Sequence, residues 1–292
     1  MRTRHLAVAA LLGTTLVGTP LRDVTAQTDT ISHRPLFTYR DAILAGAFVV
    51  GTVAAFPFDK HYAIQLQDTS RQDNRFYNDA ANTVRTIAEP GAWIIGGSMY
   101  AVGRLAHVPR LADLGWHGTE AVLVGGILGG AIKGVAGRSR PYLTVKPDGT
   151  PNPRDFQFFR GFKKGNAYES FPSGHAIAAF AAASAVSNET SRWWPQSRWI
   201  IGPAMYGGAT LVGLSRMYNN KHWASDVLLG AAIGTFAGNK VVRYHHSHKG
   251  NRLDRWILGA NLSPAPNGHG WALSWSVEPG SWTLRTDGAQ ER

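Results

Sequence analysis

The chain contains no cysteine. Disulfides, thiolate metal sites, a cysteine nucleophile and a lipidated N-terminal cysteine are therefore excluded. Charge is also sparse, at 17% of the 292 residues, and acid is sparser than base: 19 Asp and Glu stand against 30 Lys and Arg, for a formal net charge of +11. A basic balance suits nucleic acid, an anionic membrane surface or an acidic substrate. The Lys and Arg residues are scattered, and the chain has no RNA- or DNA-module signature, so nucleic acid is not expected as a partner. Long apolar runs are scarce too. The uncharged cores of the apolar segments run to only about 12 to 18 residues, against the roughly 20 a membrane span needs. Mean hydropathy is −0.17. What is plentiful is apolar residues, at 44%, and 33 glycines, many inside apolar runs where they let helices pack closely.

Residues 1–26 read as a signal peptide. Arg2, Arg4 and His5 precede an uncharged run from Leu6 to Gly18, and Val24-Thr25-Ala26 offers a small-residue cleavage site. Residues 27–89 read as a polar arm, a first apolar helix from Asp41 to Phe58, and one or two surface helices with a break near 68–74. Residues 90–250 form the core, with further apolar helices at Ala92–Leu105, His117–Val135, Ser173–Ser187, Trp199–Arg216 and Ser225–Tyr244. Pro109 to Leu114 reads as a connection. The polar stretch 142–171 is long for a loop in a compact domain, which suggests a functional one. In the tail, 251–292, Asn267-Gly268 between partly alternating runs signals a β-hairpin. The fold class expected is all-α, with about six core helices and a small C-terminal hairpin.

Three short blocks carry the chemistry. Lys133 and Arg140 are seven residues apart, so a continuing helix would place them on one face, with Pro141 ending or bending it. Pro172-Ser173-Gly174-His175 opens an apolar helix. Ser173 is a good N-cap, and the free N–H groups of a helix start bind anions. Ser215-Arg216 ends another helix, and His222 and Asp226 follow at a spacing of four. On a helix that spacing lets the carboxylate reach the imidazole, fix its tautomer and make one ring nitrogen a better nucleophile or base. Cations, imidazoles and a carboxylate together suit a phosphate-like oxyanion. His245, His246 and His248 could bind a metal, but they read rather as a solvated basic tail.

In this order and at these spacings, the blocks resemble the signature of the type 2 phosphatidic acid phosphatase and vanadium haloperoxidase superfamily: Lys-x6-Arg-Pro, Pro-Ser-Gly-His and Ser-Arg-x5-His-x3-Asp. The resemblance covers roughly residues 90–245. It implies a helical bundle and a phosphatase acting on a phosphomonoester or pyrophosphate, a lipid phosphate among them. It implies His222 as nucleophile through a phosphohistidine, Asp226 as the group that orients it, and His175 as general acid. Lys133, Arg140, Arg216, Ser173 and the Gly174 N–H would hold the phosphoryl oxygens. Side chains would neutralise the charge, so no metal or other cofactor is implied. Vanadate enters only under the alternative of a haloperoxidase, and a non-catalytic anion- or lipid-binding protein is the third reading. Phe156, Phe158, Phe159, Arg160, Lys163 and Lys164 could contact an amphiphilic anion.

Short apolar cores and the leader favour an exported, periplasmic or secreted domain. The alternative is an integral membrane protein with its site facing outside, for which the basic connections at 104–118, 189–198 and beyond 240 would lie on the cytoplasmic side.

Overall fold

The structure, a computed structural model, describes residues 35–143, 149–248, 251–259, 261–267 and 270–276. The leader read at 1–26 lies outside the described residues. Six long helices form the bundle: α1 (Tyr39–Ala55), α5 (Gly91–Leu105), α6 (Pro109–Ala136), α8 (Gly174–Trp193), α9 (Ile201–Tyr218) and α10 (Ala224–Ser247). Shorter helices α2 (Asp59–Leu66), α3 (Thr69–Gln72) and α4 (Arg75–Ala88) follow α1. Helix α7 (Arg160–Lys164) lies within the stretch 142–171, and α11 (Arg252–Ile257) follows α10. Strands β1 (Asn261–Asn267) and β2 (Gly270–Ser276) pair antiparallel, Asn261 opposite Ser276 and Asn267 opposite Gly270. The residues between them, 268 and 269, lie outside the described residues.

The fold is all-α in its core, as expected, but several boundaries move. Helix α6 begins eight residues before the expected His117, at Pro109. Proline fits there because the first helical N–H has no intrahelical acceptor to lose. What read as a connection is two further helical turns, and α6 reaches 28 residues. It ends at Ala136 because Gly137 adopts φ 54°, a left-handed cap. The helix therefore does not continue to Arg140, and the one-face argument for Lys133 and Arg140 fails. A Cβ on Gly137 would stand 2.1 Å from the Gln157 carbonyl oxygen, so the position also lets the 157–160 backbone close over it. The 142–171 stretch is not simply a loop, since α7 and a 3-10 turn at Gly165–Tyr168 occupy its second half.

The core lies where α6, α8 and α10 meet, around Ala121, Val122, Ala178, Ala181, Ala185, Ala237, Val241 and Val242. Small residues set the distance. Gly230, Gly234 and Gly238 recur one turn apart along α10. A Cβ on them would stand 2.6 Å from the Ser173 carbonyl oxygen, 2.4 Å from that of Ile177 and 2.5 Å from that of Ala181. Helices α8 and α10 thus touch backbone to backbone, the mode by which small residues hold apolar helices together without bulky side chains.

The outward faces are apolar. Val50 on α1, Ile94 on α5, Ile127 on α6 and Leu211 on α9 are each more than half exposed. Two helical stretches, Tyr39–Leu66 and Pro109–Ala136, are long and apolar enough to cross a membrane. The first runs on from α1 through a 3-10 turn into α2, which is why its length is hard to see from uncharged runs alone.

Candidate active site

The three blocks meet at one end of the bundle. Lys133 lies in the last turn of α6 and Arg216 in the last turn of α9. Ser173 and His175 lie at the start of α8, and Asp226 in the first turn of α10. Because neighbouring helices alternate in direction, the C-terminal ends of α6 and α9 share a face with the N-terminal ends of α8 and α10.

His222 is buried and lies just before α10, whose N-cap is Trp223. The imidazole and the Asp226 carboxylate are thus not paired along a helix face. His222 Nδ1 lies 2.7 Å from the Ser170 carbonyl oxygen and 3.6 Å from Asp226 Oδ2. A carbonyl only accepts, so Nδ1 carries the proton and Nε2 keeps its lone pair. Burial, opposed by Asp226, lowers the His222 pKa to about 4, with the Arg140 and Lys133 charges adding to the fall. The ring is therefore a neutral imidazole near pH 7.

Asp226 is fully buried and spends its oxygens on fixing the loop. Oδ2 accepts from the Trp223 N–H at 2.8 Å and from the Ser170 hydroxyl, and Oδ1 accepts from Arg138 Nη1 at 2.5 Å. Ser170 thus grips both His222, through its carbonyl, and Asp226, through its hydroxyl. The Ser173 N–H donates to the Asp226 carbonyl at 3.0 Å, which joins the start of α8 to the start of α10.

The cations are placed differently. Arg140 donates to the backbone and side-chain oxygens of Asn166, 2.7 Å for Nε to the backbone oxygen. Arg216 is buried, yet its Nε and Nη1 have no hydrogen-bond partner. Lys133 makes no hydrogen bond or ion pair among the described residues, and its Nζ lies 3.3 Å from where a Cβ on Gly174 would stand. Glycine at 174 therefore leaves room for the ammonium over the helix start. The Ser173 hydroxyl accepts from the Ala176 N–H at 3.4 Å, and the Gly174 and His175 N–H groups make no hydrogen bond among the described residues. Unpaired cations beside open helix-start amides form a site for an anion. His175 lies within charge reach of Arg216, His222 and Lys133, and its Nδ1 is 3.3 Å from Glu89 Oε2.

The residues read from the sequence as catalytic or phosphate-holding all lie at or next to this end. Several that matter were not singled out. Arg138 is fully buried and bonds Asp226, Ser225 and Asp59, with Nη2 2.7 Å from Asp59 Oδ2. Four aromatic rings enclose its guanidinium, those of Phe56, Phe156, Phe171 and Trp223, at 4.8 to 5.8 Å. Asp59 also accepts from the Ser225 N–H and hydroxyl, which ties the start of α2 into the site. Glu89 and Ser170 carry no spacing signal. Arg138 does have one, as a second arginine two residues before Arg140, but an arginine at a helix end reads as solvated.

The other His cluster is a correction. His245 and His246 are not a solvated tail: they lie inside α10, His245 buried and His246 half-buried, and both bond carboxylates. The pattern of helix contacts puts them at the opposite end of the bundle.

Residues 115–249 match the family model described as PAP2 superfamily, the superfamily that the three motifs resemble. The chain is 42% identical over 90 residues to a lipid A 1-phosphatase of Porphyromonas gingivalis, a match spanning 31% of this chain and 19% of that protein. It is 30% identical over 112 residues to an undecaprenyl-diphosphatase of Sulfolobus acidocaldarius, spanning 38% and 45%. The chain thus spans less than half the length of these curated relatives. A crystal structure of a transmembrane PAP2 type phosphatidylglycerolphosphate phosphatase from Bacillus subtilis aligns with a TM-score of 0.54 and 17% identity, over 74% of this chain and all of that one. That likeness shows the fold.

Arg138 holds two buried carboxylates, so its loss is expected to cost about 3–5 kcal/mol, the usual effect of stranding a buried charge. Arg138→Met should melt well below the wild type, and adding Asp59→Asn should recover part of the loss. An unchanged melting temperature in Arg138→Met would show that the network does not hold the site.

Proposed function

We propose, from a segment that matches the PAP2 superfamily model and whose three motifs close on one anion site, that this chain is a metal-independent phosphatase acting on a lipid phosphate or lipid pyrophosphate. The observation that carries the reading is the buried Arg216, with two unpartnered guanidinium nitrogens, beside an unpaired Lys133 and a neutral His222 with Nε2 free. Such a group of cations wants an oxyanion, and the free imidazole nitrogen gives the anion something to react with.

In this mechanism the phosphoryl oxygens are held by Lys133, Arg140, Arg216, the Ser173 side chain and the Gly174 N–H. His222 Nε2 attacks phosphorus in line with the leaving oxygen. The P–O bond breaks as the P–N bond forms, and His175 gives its proton to the departing oxygen. The Ser170 carbonyl and the Asp226 carboxylate hold the Nδ1–H and offset the positive charge that the ring gains. Water then attacks the phosphohistidine, His175 takes its proton, and phosphate leaves with His222 restored. Positioning and charge neutralisation are what phosphoryl transfer asks of a protein, and here side chains supply both.

The lipid part rests on surfaces next to the site. Phe158, Phe159 and Phe162 are more than half exposed, and Phe162 packs against Gly134, the residue after Lys133. The relatives named above act on a lipid A phosphate and an undecaprenyl diphosphate, both amphiphiles. We place α1 and α6 across a membrane, with the histidine end facing outside. Arg40, Arg104, Arg110, Arg192, Arg198 and Arg243 lie at the other end and would face the cytoplasm. With this orientation α1 starts on the cytoplasmic side, which a cleaved leader would not allow.

Purified chain should release phosphate from a lipid phosphate in EDTA and be inhibited by vanadate. His222→Ala should abolish turnover, and His175→Ala should lower it by about 10²–10⁴-fold. Protonated His222 cannot attack and unprotonated His175 cannot donate, so kcat/KM should fall on the acid side as pH drops through about 4 and fall again on the basic side as His175, whose charged form burial and the neighbouring cations disfavour, loses its proton. Turnover retained by His222→Ala would overturn the mechanism, and halide oxidation appearing only with vanadate would overturn the activity. In cell fractions the chain should stay in the membrane pellet through a carbonate wash; release into the supernatant would overturn the membrane placement.

A further inference from the structure

At the end of the bundle away from His222, a second group of polar side chains is buried that the phosphatase reading does not use. His117 on α6 is 3% exposed, His245 on α10 is 3% exposed, and Asp254 on α11 is half-buried. The rings of His117 and His245 stack, with centroids 4.2 Å apart and planes 21° apart. His117 Nε2 is buried with no hydrogen-bond partner among the described residues, and it lies 3.9 Å from Asp254 Oδ1. Asp254 Oδ1 lies 2.5 Å from His245 Nδ1. One nitrogen from each ring and one carboxylate oxygen therefore converge, all within 4.8 Å of one another.

The outer partners point the same way. The far nitrogen of each ring is engaged by its own carboxylate: His117 Nδ1 lies 2.5 Å from Glu189 Oε1, and His245 Nε2 lies 2.5 Å from Glu120 Oε2. Those contacts hold protons on the outer nitrogens and leave His117 Nε2 and His245 Nδ1 as the nitrogens that face Asp254, where a metal ion would displace the proton shared by His245 Nδ1 and Asp254 Oδ1. Asn251 Nδ2 donates to Asp254 Oδ2 at 2.7 Å and lies 3.3 Å from His245 Nδ1, which fits an acceptor at that nitrogen. A carboxylate behind each ligating imidazole is how zinc-binding histidines are held and made more basic. Half-buried His246 lies 2.9 Å from Glu189 Oε2, and Asp113 lies within charge reach of Glu189. The carboxylates Asp113, Glu120, Glu189 and Asp254 thus outnumber the three imidazoles, and two stacked imidazolium rings would repel each other. A dication answers both the charge and the unpartnered His117 nitrogen.

We infer that His117, His245 and Asp254 bind a divalent metal ion, Zn²⁺ by the chemistry of the donors. Two imidazole nitrogens and one carboxylate oxygen, with no thiolate, match the three protein ligands of a tetrahedral zinc with water in the fourth place. Ligand atoms around such an ion lie about 3.3–3.5 Å apart, so the 3.9 Å gap closes slightly and the His245–Asp254 contact opens by about 1 Å. The ion joins α6, α10 and α11 and so fastens the segment after α10 to the bundle. It takes no part in the phosphatase chemistry, and the inference stands whether or not that reading holds. Sequence spacing gives little sign of it, because His117 on α6 is remote in the chain from His245 and Asp254 on the consecutive helices α10 and α11.

The test uses the purified full chain, stripped with a chelator, dialysed and titrated with Zn²⁺ alone. Metal analysis should find about one equivalent bound, and the melting temperature should rise on binding. Co²⁺ in its place should give the visible absorption of a tetrahedral site. His245→Gln and Asp254→Asn should each lose the bound equivalent while keeping the helical circular dichroism of the wild type. Glu120→Gln, which leaves all three ligands in place, should weaken binding by about 10–100-fold. Binding in His222→Ala should be unchanged. The inference is overturned if the wild-type chain binds no Zn²⁺ at micromolar concentration, if binding persists in His245→Gln and Asp254→Asn, or if it is lost in His222→Ala. If either ligand variant fails to fold, the Glu120→Gln affinity and the Co²⁺ spectrum of the wild type decide the matter by themselves.

Discussion

A buried arginine between two buried carboxylates holds this molecule's working end together. Arg138 reaches Asp226 at 2.5 Å and Asp59 at 2.7 Å, and all three side chains are closed to solvent. Burying one cation with two anions is costly, and it holds only where every lone pair and proton finds a partner. Ser225, Ser170 and the Trp223 N–H supply those partners, and the aromatic rings around the guanidinium exclude water. The effect is to set Asp226, then Ser170, and through the Ser170 carbonyl the imidazole of His222. The site's orientation descends from this network and not from a direct carboxylate–imidazole hydrogen bond.

The network can form only because the helices come close enough. The glycines of α10 let it lie against the α8 backbone, and the Ser173 N–H to Asp226 carbonyl bond is the last contact in that seam. The seam also runs the length of the bundle. Its other end brings α10 beside the far parts of α6 and α8, where His117, Glu189, His245 and His246 meet. One packing arrangement thus carries a cluster of buried polar groups at each end. Among the described residues, they leave cations without partners at one end and the His117 Nε2 nitrogen without a partner at the other.

Much of this was legible in the sequence. The apolar runs gave the six long helices, and the motif blocks fell at helix ends, where chain reversal collects them on one face. The errors have local causes. Pro109 read as an interruption, yet proline is at home in a first turn, so α6 is longer than its uncharged core. Gly137 ends α6 before Arg140, a matter of backbone conformation to which helical periodicity is blind. Arg138 was passed over because an arginine near a helix end is usually solvated, and its burial depends on Asp59, 79 residues away. His245 and His246 were read as a tail because their carboxylate partners lie on other helices. Spacing finds partners along a helix; it does not find them across one.

The account's central claim is that His222 presents Nε2 to phosphorus because Nδ1–H is held by the Ser170 carbonyl. The most direct measurement is to quench turnover of a phosphorus-labelled lipid phosphate in base, where phosphohistidine survives, and to determine which ring nitrogen of which histidine carries the label. The account predicts label on His222, at Nε2. Label at Nδ1, on His175, or on no histidine under conditions of rapid turnover would contradict it.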